Sequence, residues 1–297
     1  MTEATKITPE LLRGMRLPEP SGSVDKKARG SVLVVAGSVE VPGAALLAGT
    51  AALRAGAGKL QIATCSSVAL HLGLAVPEAL VLGLPETPSG GISPESADLL
   101  CERSKRNDAV LLGPGMMDKE AVAALTTGMV NSLEGPALVI DAEALVCLDT
   151  LREPLCRREG RTIITPHAGE MASLLEIDRD AVEADPLATA RRVATEFKMV
   201  VALKGGCTHI VDPDGNAWFY ESGNVGLATS GSGDTLAGVV AGLVARGAEP
   251  AQATIWAVYL HGQAGNRLAR SRGPMGFLAR ELLAEIPGIM AELAPPR

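Results

Sequence analysis

Short runs of β-branched and aliphatic residues recur along the chain from residue 31 onward, and longer Ala/Leu-rich segments separate several of them. The runs predict buried strands, because parallel strands covered on both faces carry continuous apolar stretches. Predicted strands lie within Ser31–Gly37, Lys59–Cys65, Glu78–Leu84, Asp108–Met116, Pro136–Leu145, Arg161–Leu175 and Lys198–Asn224. The last segment contains DPDG, which predicts a hairpin turn.

The Ala/Leu-rich segments predict helices. One covers Gly43–Gly58 and is stopped by glycines, a second begins at Asp234, a third has Pro250 in its first turn, and GFLARELLAEIPGIMAEL closes the chain. This order predicts an α/β fold, with a mostly parallel sheet covered on both faces and a few antiparallel strands at one edge. Residues 1–30 are expected to form an N-terminal arm or short helix, and residues 31–297 a single domain.

Composition restricts the packing and the ligands. Hydrophobic residues make up 47% of the 297 residues and aromatic residues only 2%, with 33 glycines, so the core must use small side chains that let helices lie close to the sheet. A net charge of −7 argues against nucleic-acid binding but still allows a small anionic ligand.

The cysteines and the chain start bear on the compartment. Five scattered cysteines without a C-x-x-C pair favour reduced thiols in the cytoplasm over disulfides or zinc. No signal peptide or membrane-length apolar run is visible, so no membrane partner and a cytoplasmic location are expected.

Unusual loops follow the predicted strands, at the edge where open α/β sheets bind ligands. In SGSGDTLAG, Gly231 and Gly233 allow main-chain N–H groups to turn toward an anion, and the next helix adds its positive end. Asp234 is either a carboxylate at this anion site or an ordinary helix N-cap.

Several motifs together resemble one family. ATSGSGDTLAG resembles the closing signature of ribokinase-like kinases, and GSVEVPGAALLAGTAALRAGAG, LLGPGM, VIDAEAL, ITPHAGEMASLL and LKGGCTHIVDPDGN resemble the ADP/ATP-dependent NAD(P)H-hydrate dehydratases of that superfamily. The resemblance runs from about residue 29 onward and implies a three-layer αβα sandwich.

The resemblance also implies an activity. The hydroxyl that water adds to the ring of NADH or NADPH would be phosphorylated by ADP or ATP with Mg²⁺, and loss of phosphate would restore the ring. The enzyme would be a lyase that repairs the cofactor, and a homotetramer is expected. Two alternatives stay open: a small-alcohol kinase of the hydroxyethylthiazole kinase type, which would stop at the phosphate ester, and a nucleotide-binding regulator without catalysis.

Residue roles follow from the matched motifs. Asp234 matches the catalytic base, with Gly231, Ser232 and Gly233 supplying N–H donors to the phosphoryl group. The hydrate-binding positions are Ala44, Gly115, His167 and Asp234, and the nucleotide-binding positions are Lys204, Gly205, Gly206, Cys207, Thr208 and Gly233. Glu170 is a candidate to hold Mg²⁺ through water.

Each assignment has a structural alternative. His167 could be a loop histidine, Glu170 a first-turn helix carboxylate, and Lys204 a solvated strand-end lysine. Ala44 and Gly115 could serve helix packing and turn geometry alone.

Further polar and aromatic residues have open roles. Asp141 could position magnesium or cap a helix, and Asn224 and Thr229 could contact ligand or fix their loop. His71, His209 and His261 are expected to be structural, whereas Trp218, Phe219 and Tyr220 could cover an adenine or an interface. Val225, Ser230 and Met117 depart from the glycines and proline of the family pattern.

Overall fold

The computed structural model describes residues 3–19, 26–221 and 224–294. The described residues form one ten-stranded sheet flanked by helices. The strands are β1 Thr5–Lys6, β2 Ser31–Val35, β3 Lys59–Cys65, β4 Ala79–Leu84, β5 Ala109–Leu112, β6 Ala137–Ile140, β7 Thr162–Ile164, β8 Val200–Leu203, β9 Cys207–Val211 and β10 Ala217–Glu221. The helices are α1 Pro9–Gly14, α2 Pro42–Arg54, α3 Ser66–Ala75, α4 Ala97–Ser104, α5 Lys119–Ser132, α6 Arg152–Cys156, α7 Ala168–Leu175, α8 Arg179–Ala184, α9 Pro186–Phe197, α10 Ser232–Ala245, α11 Pro250–Arg272 and α12 Ala279–Leu293.

The sheet order is β1-β10-β9-β8-β7-β6-β5-β2-β3-β4. The strands from β8 across to β4 run parallel, while β9 is antiparallel to both of its neighbours. The β9–β10 hairpin turns at the predicted DPDG segment. The fold prediction is therefore confirmed: the sheet is mostly parallel, with antiparallel pairs toward one edge.

Each central strand contributes to two cores, one on each face of the sheet. In β2, Val32 and Val34 pack into the core under α2, α10, α11 and α12, whereas Leu33 and Val35 pack into the core on the opposite face. This alternation follows from the two-residue period of a strand. Both faces are thus covered by helices.

Helices α2 and α10 pack against each other through small residues. A Cβ atom on Gly238 would overlap the main-chain oxygen of Ala48, and one on Gly242 would overlap that of Ala52. Only glycine allows the two backbones to approach this closely. The small-residue packing expected from the composition is thus present beside the helix that carries Asp234.

The described residues near the N-terminus lie against the sheet and the helices. Thr5 and Lys6 pair in parallel with Trp218 and Phe219 of β10. Ile7 and Leu12 are buried in the core that contains α10. The division into an arm and one domain was a sequence prediction, and it stays a prediction.

In the part of the chain described by the structure, none of the helices combines the length and the apolar character needed to cross a bilayer.

Candidate functional site

A cavity of about 690 Å³ opens at the carboxyl edge of the sheet, between the loops after β6, β7 and β8 and the starts of α7 and α10. Most of the predicted site residues line it: His167, Glu170, Lys204, Gly205, Gly206, Thr208, Gly231, Ser232, Gly233 and Asp234. Residues from four separate loops therefore meet in one place, as expected for the carboxyl ends of parallel strands.

The start of α10 differs from the prediction. The helix begins at Ser232, two residues before Asp234, because Gly231 adopts the left-handed conformation with φ 85° and turns the chain into the helix. Asp234 lies in the first turn and does not cap the helix with its side chain. The expected helix start at Asp234 was wrong.

The first turn of α10 presents unpaired donors. The Ser232 N–H, predicted to be a phosphate donor, is already paired because it donates to the Thr229 oxygen, and the Thr235 N–H donates to the Gly231 oxygen. No acceptor among the described residues pairs with the N–H groups of Gly233 and Asp234. Unpaired N–H groups at a helix N-terminus carry partial positive charge and favour an anion. This turn therefore forms a site suited to a phosphate.

The Asp234 carboxylate is held in an unusual electrostatic state. Burial raises its pKa to about 6, the negative charges of Asp141 and Glu170 add to the rise, and the Lys204 ammonium opposes it. Its side chain accepts no hydrogen bond from the described residues. A carboxylate with a pKa near the working pH and a free lone pair is suited to remove a proton.

Lys204 is fixed by two carboxylates. Its Nζ lies 3.0 Å from Asp141 Oδ1 and 3.7 Å from Glu170 Oε2, and its side chain is 20% exposed. Burial works against its charge, but the two carboxylates outweigh burial and raise the pKa of Lys204 above its ordinary value. Because the Nζ would lie 3.4 Å from a Cβ on Gly233, the ammonium sits beside the first turn of α10. Lys204 is therefore not a solvated strand-end lysine.

Asp141 supports this lysine and does not cap a helix with its side chain. Its carboxylate is buried and also accepts a 2.7 Å hydrogen bond from the Thr165 hydroxyl. Of the two alternatives for Asp141, helix capping is not the one observed. The adjacent Ala142, which also lines the cavity, has a positive φ of 54°, which is uncommon for a residue with a side chain.

His167 and Glu170 form a reciprocal cap at the start of α7. His167 Nδ1 accepts from the N–H groups of Gly169 and Glu170 at 3.0 and 3.1 Å, and Glu170 Oε2 accepts from the His167 N–H at 2.7 Å. This is the capping-box arrangement. Because Nδ1 accepts, the neutral ring carries its proton on Nε2, which lies 3.6 Å from Glu170 Oε1. Both residues thus have a structural role, and both also line the cavity.

Three predicted residues lie elsewhere. Ala44 and Gly115 are not on the wall of this cavity; they touch each other, since a Cβ on Gly115 would overlap that of Ala44. Gly115 also needs its positive φ of 63° for the turn. Cys207 lines an adjoining second cavity of about 570 Å³, whose wall shares His167, Lys204, Gly205 and Gly206 with the first.

His261 and Tyr220 also line the cavity; the sequence left Tyr220 open to cover an adenine or an interface and did not assign His261 to the site. His261 was expected to be structural, yet its Nε2 lies 2.9 Å from the Ser232 hydroxyl oxygen. In the sequence, His261 could have been noticed because it is a single polar ring between apolar residues and Gly262 in a helix. Tyr220 is the one of the three neighbouring aromatic residues that reaches the cavity.

Asn224 and Thr229 both line the cavity as well. Asn224 Oδ1 accepts from the Gly226 N–H at 2.9 Å, so this side chain fixes its own loop. Of the remaining histidines, His71 is exposed on α3, and His209 faces the second cavity.

Comparisons with known proteins agree with this geometry. The sequence model of a family described as NAD(P)H-hydrate dehydratase matches residues 32–288. The ADP-dependent (S)-NAD(P)H-hydrate dehydratase of Xanthomonas campestris is 48% identical over 288 residues, covering 97% of this chain and 96% of the relative. The bifunctional NAD(P)H-hydrate repair enzyme of Moorella thermoacetica is 39% identical over 94% of this chain, which spans 52% of that longer protein.

A solved structure shows the same architecture. The crystal structure of the ADP/ATP-dependent NAD(P)H-hydrate dehydratase of Bacillus subtilis, co-crystallised with ATP and Mg²⁺, superimposes with a TM-score of 0.81 at 28% identity. The match covers 99% of this chain and 100% of that one.

Proposed function

This chain belongs to the NAD(P)H-hydrate dehydratase family, and we propose that it dehydrates the hydrated form of NADH or NADPH at the expense of ADP or ATP. The observation that carries the proposal is the Asp234 carboxylate, which has no hydrogen-bond donor among the described residues and lies in a helix turn with unpaired N–H groups. A base and a phosphate site are thus adjacent in one cavity, and phosphorylation of an alcohol requires both.

The proposed reaction has two stages. Asp234 takes the proton of the ring hydroxyl while the hydroxyl oxygen bonds to the terminal phosphorus, and AMP or ADP leaves. The N–H groups of Gly233 and Asp234 and the Lys204 ammonium stabilise the charge on the transferred group. Phosphate is a better leaving group than hydroxide, so the carbon–oxygen bond then breaks and its electron pair leaves with phosphate. The adjacent ring carbon releases a proton to solvent, and the electrons of that carbon–hydrogen bond restore the ring double bond.

The remaining roles follow the same geometry. The Nε2 edge of His167 contacts the hydrate, together with the region of Ala44 and Gly115. The Lys204–Thr208 segment runs along the nucleotide, and Cys207 takes part through its main chain. Glu170 offers carboxylate oxygen, which suits Mg²⁺ held through water, and the ion would neutralise phosphate charge when bound. A cytoplasmic homotetramer is also proposed.

Replacing Asp234 tests the proposal. Asp234→Asn keeps the shape of the side chain but removes the base, so turnover should fall by a factor on the order of 10² or more while nucleotide binding is retained. The measurement is recovery of the near-ultraviolet absorbance of the reduced nicotinamide from its hydrate, with calorimetry for nucleotide binding. Asp98→Asn, an exposed first-turn carboxylate of α4, is the matched control.

Product analysis distinguishes this function from the alternatives. The dehydratase releases inorganic phosphate together with the reduced cofactor, whereas a kinase would accumulate a stable phosphate ester. Binding of nucleotide with no turnover of any alcohol would indicate a regulator. Wild-type turnover by Asp234→Asn would reject Asp234 as the base.

A further inference from the structure

The contact between His261 of α11 and Ser232 of α10 has no role in the proposed reaction. His261 Nε2 lies 3.0 Å from the main-chain oxygen of Ser232 and 2.9 Å from its hydroxyl oxygen. Both residues line the cavity, and Ser232 is 5% exposed. This pair therefore lies beneath the turn that presents the unpaired N–H groups.

The geometry determines where the histidine proton is. A main-chain oxygen can only accept a hydrogen bond, so at 3.0 Å the Nε2 atom must carry hydrogen and donate it. The Ser232 hydroxyl oxygen, at a similar distance, is then a second acceptor of the same N–H group. Burial, with the nearby Lys204 charge, lowers the pKa of His261 to about 4, so the ring stays neutral near pH 7.

The Ser232 hydroxyl keeps its own proton. Its oxygen has no other hydrogen-bond partner among the described residues, so the proton is not used within that part of the protein. With its lone-pair side turned to His261, the hydroxyl is left to donate into the cavity. A terminal phosphate at the start of α10 is the acceptor that this location suits.

Helix α11 has little freedom to move His261 away. A Cβ on the next residue, Gly262, would overlap the ring of Tyr220, so α11 lies directly against β10. The Tyr220 hydroxyl in turn accepts a 2.9 Å hydrogen bond from Gln263 of the same helix. A donor held on a packed helix is more accurately placed than one on a loop.

We propose that His261 is a positioning residue: its Nε2–H group holds the Ser232 hydroxyl so that the hydroxyl proton points at the transferred phosphoryl group. This inference rests on the proposed function, in that it assigns the terminal phosphate of ADP or ATP to the cavity. It adds a side-chain donor to the main-chain donors of the α10 turn. His261 itself neither touches the phosphate nor transfers a proton.

Single and double variants test the coupling. His261→Leu and Ser232→Ala should each lower kcat roughly ten-fold, with a smaller change in KM for the hydrate, because one hydrogen bond to the reacting group is lost. The double variant should be no slower than Ser232→Ala alone, since both changes remove the same donor. His261→Gln, whose amide can donate in place of Nε2–H, should recover most of the lost kcat.

Two measurements need no hydrate and therefore separate this inference from the proposed function. Nitrogen-15 NMR of the histidine rings should show His261 as the neutral Nε2–H tautomer from pH 5 to pH 8. His261→Leu and Ser232→Ala should each weaken ADP binding more than AMP binding. If the wild-type chain fails to restore the reduced cofactor, the proposed function fails while these two measurements still decide the inference.

Several outcomes would overturn it. The first is that the losses of kcat multiply in the double variant, and the second is that His261→Gln is as slow as His261→Leu. The third is that NMR shows His261 as the Nδ1–H tautomer. The fourth is that the variants weaken ADP and AMP binding equally. If His261→Leu does not fold, the tautomer and Ser232→Ala binding measurements are sufficient for the decision.

Discussion

At the scale of single residues, the site is governed by the balance of charge around Asp234. Burial makes the largest contribution to its raised pKa, and the carboxylates of Asp141 and Glu170 add to it. Lys204 offsets part of this effect while it pairs with Asp141 at 3.0 Å. The lysine therefore has two functions: it holds the carboxylates together and keeps Asp234 ionised near pH 7.

The pH dependence of the reaction should report this balance. Asp234 must be ionised to accept a proton, and its pKa is about 6, so kcat/KM should fall as the pH drops through about 6. Asp141→Asn removes a like charge and frees Lys204 for Asp234, which lowers the pKa and moves the acidic limb to lower pH. The check is a kcat/KM profile of both proteins between pH 4.5 and 9.

The exposed Asp98→Asn variant is the control for this profile and should keep the wild-type limb. If the acidic limb of the kcat/KM profile stays in place in Asp141→Asn, or moves to higher pH, this would contradict the coupling of Asp141 and Lys204 to Asp234. An acidic limb absent from the wild type would argue against Asp234 as the titrating base.

At the scale of elements, helix starts place the chemistry. The first turn of α10 supplies N–H donors and Asp234, and the first turn of α7 supplies His167 and Glu170 through their reciprocal cap. Lys204, at the end of β8, is fixed between these two helix starts, because the Lys204 N–H donates to the Pro166 oxygen at 2.7 Å. Binding groups thus sit on the ends of regular elements rather than on long loops.

His167 variants should separate capping from binding. His167→Ala removes the cap and should destabilise the protein by about 1 kcal/mol, whereas His167→Asn keeps a capping side chain and much of that stability. Both should raise KM for the hydrate more than they weaken nucleotide binding, because both lose the Nε2–H group. Thermal unfolding and steady-state kinetics measure the two effects, and an unchanged KM in both variants would remove His167 from the hydrate site.

At the scale of the whole molecule, two cores on opposite faces of one sheet hold the loops in register. The described N-terminal residues belong to one of these cores: Leu12 is fully buried, and the Trp256 indole N–H donates to the Met15 oxygen at 2.7 Å. This core also contains α10 and α11, which carry Asp234 and His261. The N-terminal segment is therefore expected to unfold together with the site.

Leu12→Ala tests that expectation. Loss of a fully buried leucine should cost about 2–5 kcal/mol and lower the melting temperature by several degrees, with one unfolding transition and little change in kcat. Leu99→Ala, at a leucine that is 47% exposed on α4, is the control and should unfold close to wild type. If Leu12→Ala unfolds like the wild type, the N-terminal segment contributes nothing to the core.

Much of the architecture could be predicted from the sequence, because its signals are local. The apolar runs of β2 and β3 and the DPDG turn each specify their element within a few residues. The rule that ligands bind at the carboxyl ends of strands then predicts, without any further information, that the loops after these strands meet at one site.

What could not be predicted depends on contacts between distant residues. Lys204 and Asp141 are separated by 63 positions and Ser232 and His261 by 29, and no spacing in the sequence indicates either pair. Strand β1 has only two residues, too few for a pattern. The start of α10 was misplaced because the positive φ of Gly231 is a property of the folded turn.

The close approach of α2 and α10 has a consequence for how this protein can vary. Gly238 lies one helical turn beyond Asp234, and the backbone of α2 leaves no space there for even a methyl group. A substitution at Gly238 or Gly242 must push the two helices apart and carry the carboxylate with them. Natural substitutions at these glycines would therefore abolish activity by displacing Asp234, even though every residue of the site itself is unchanged in the sequence.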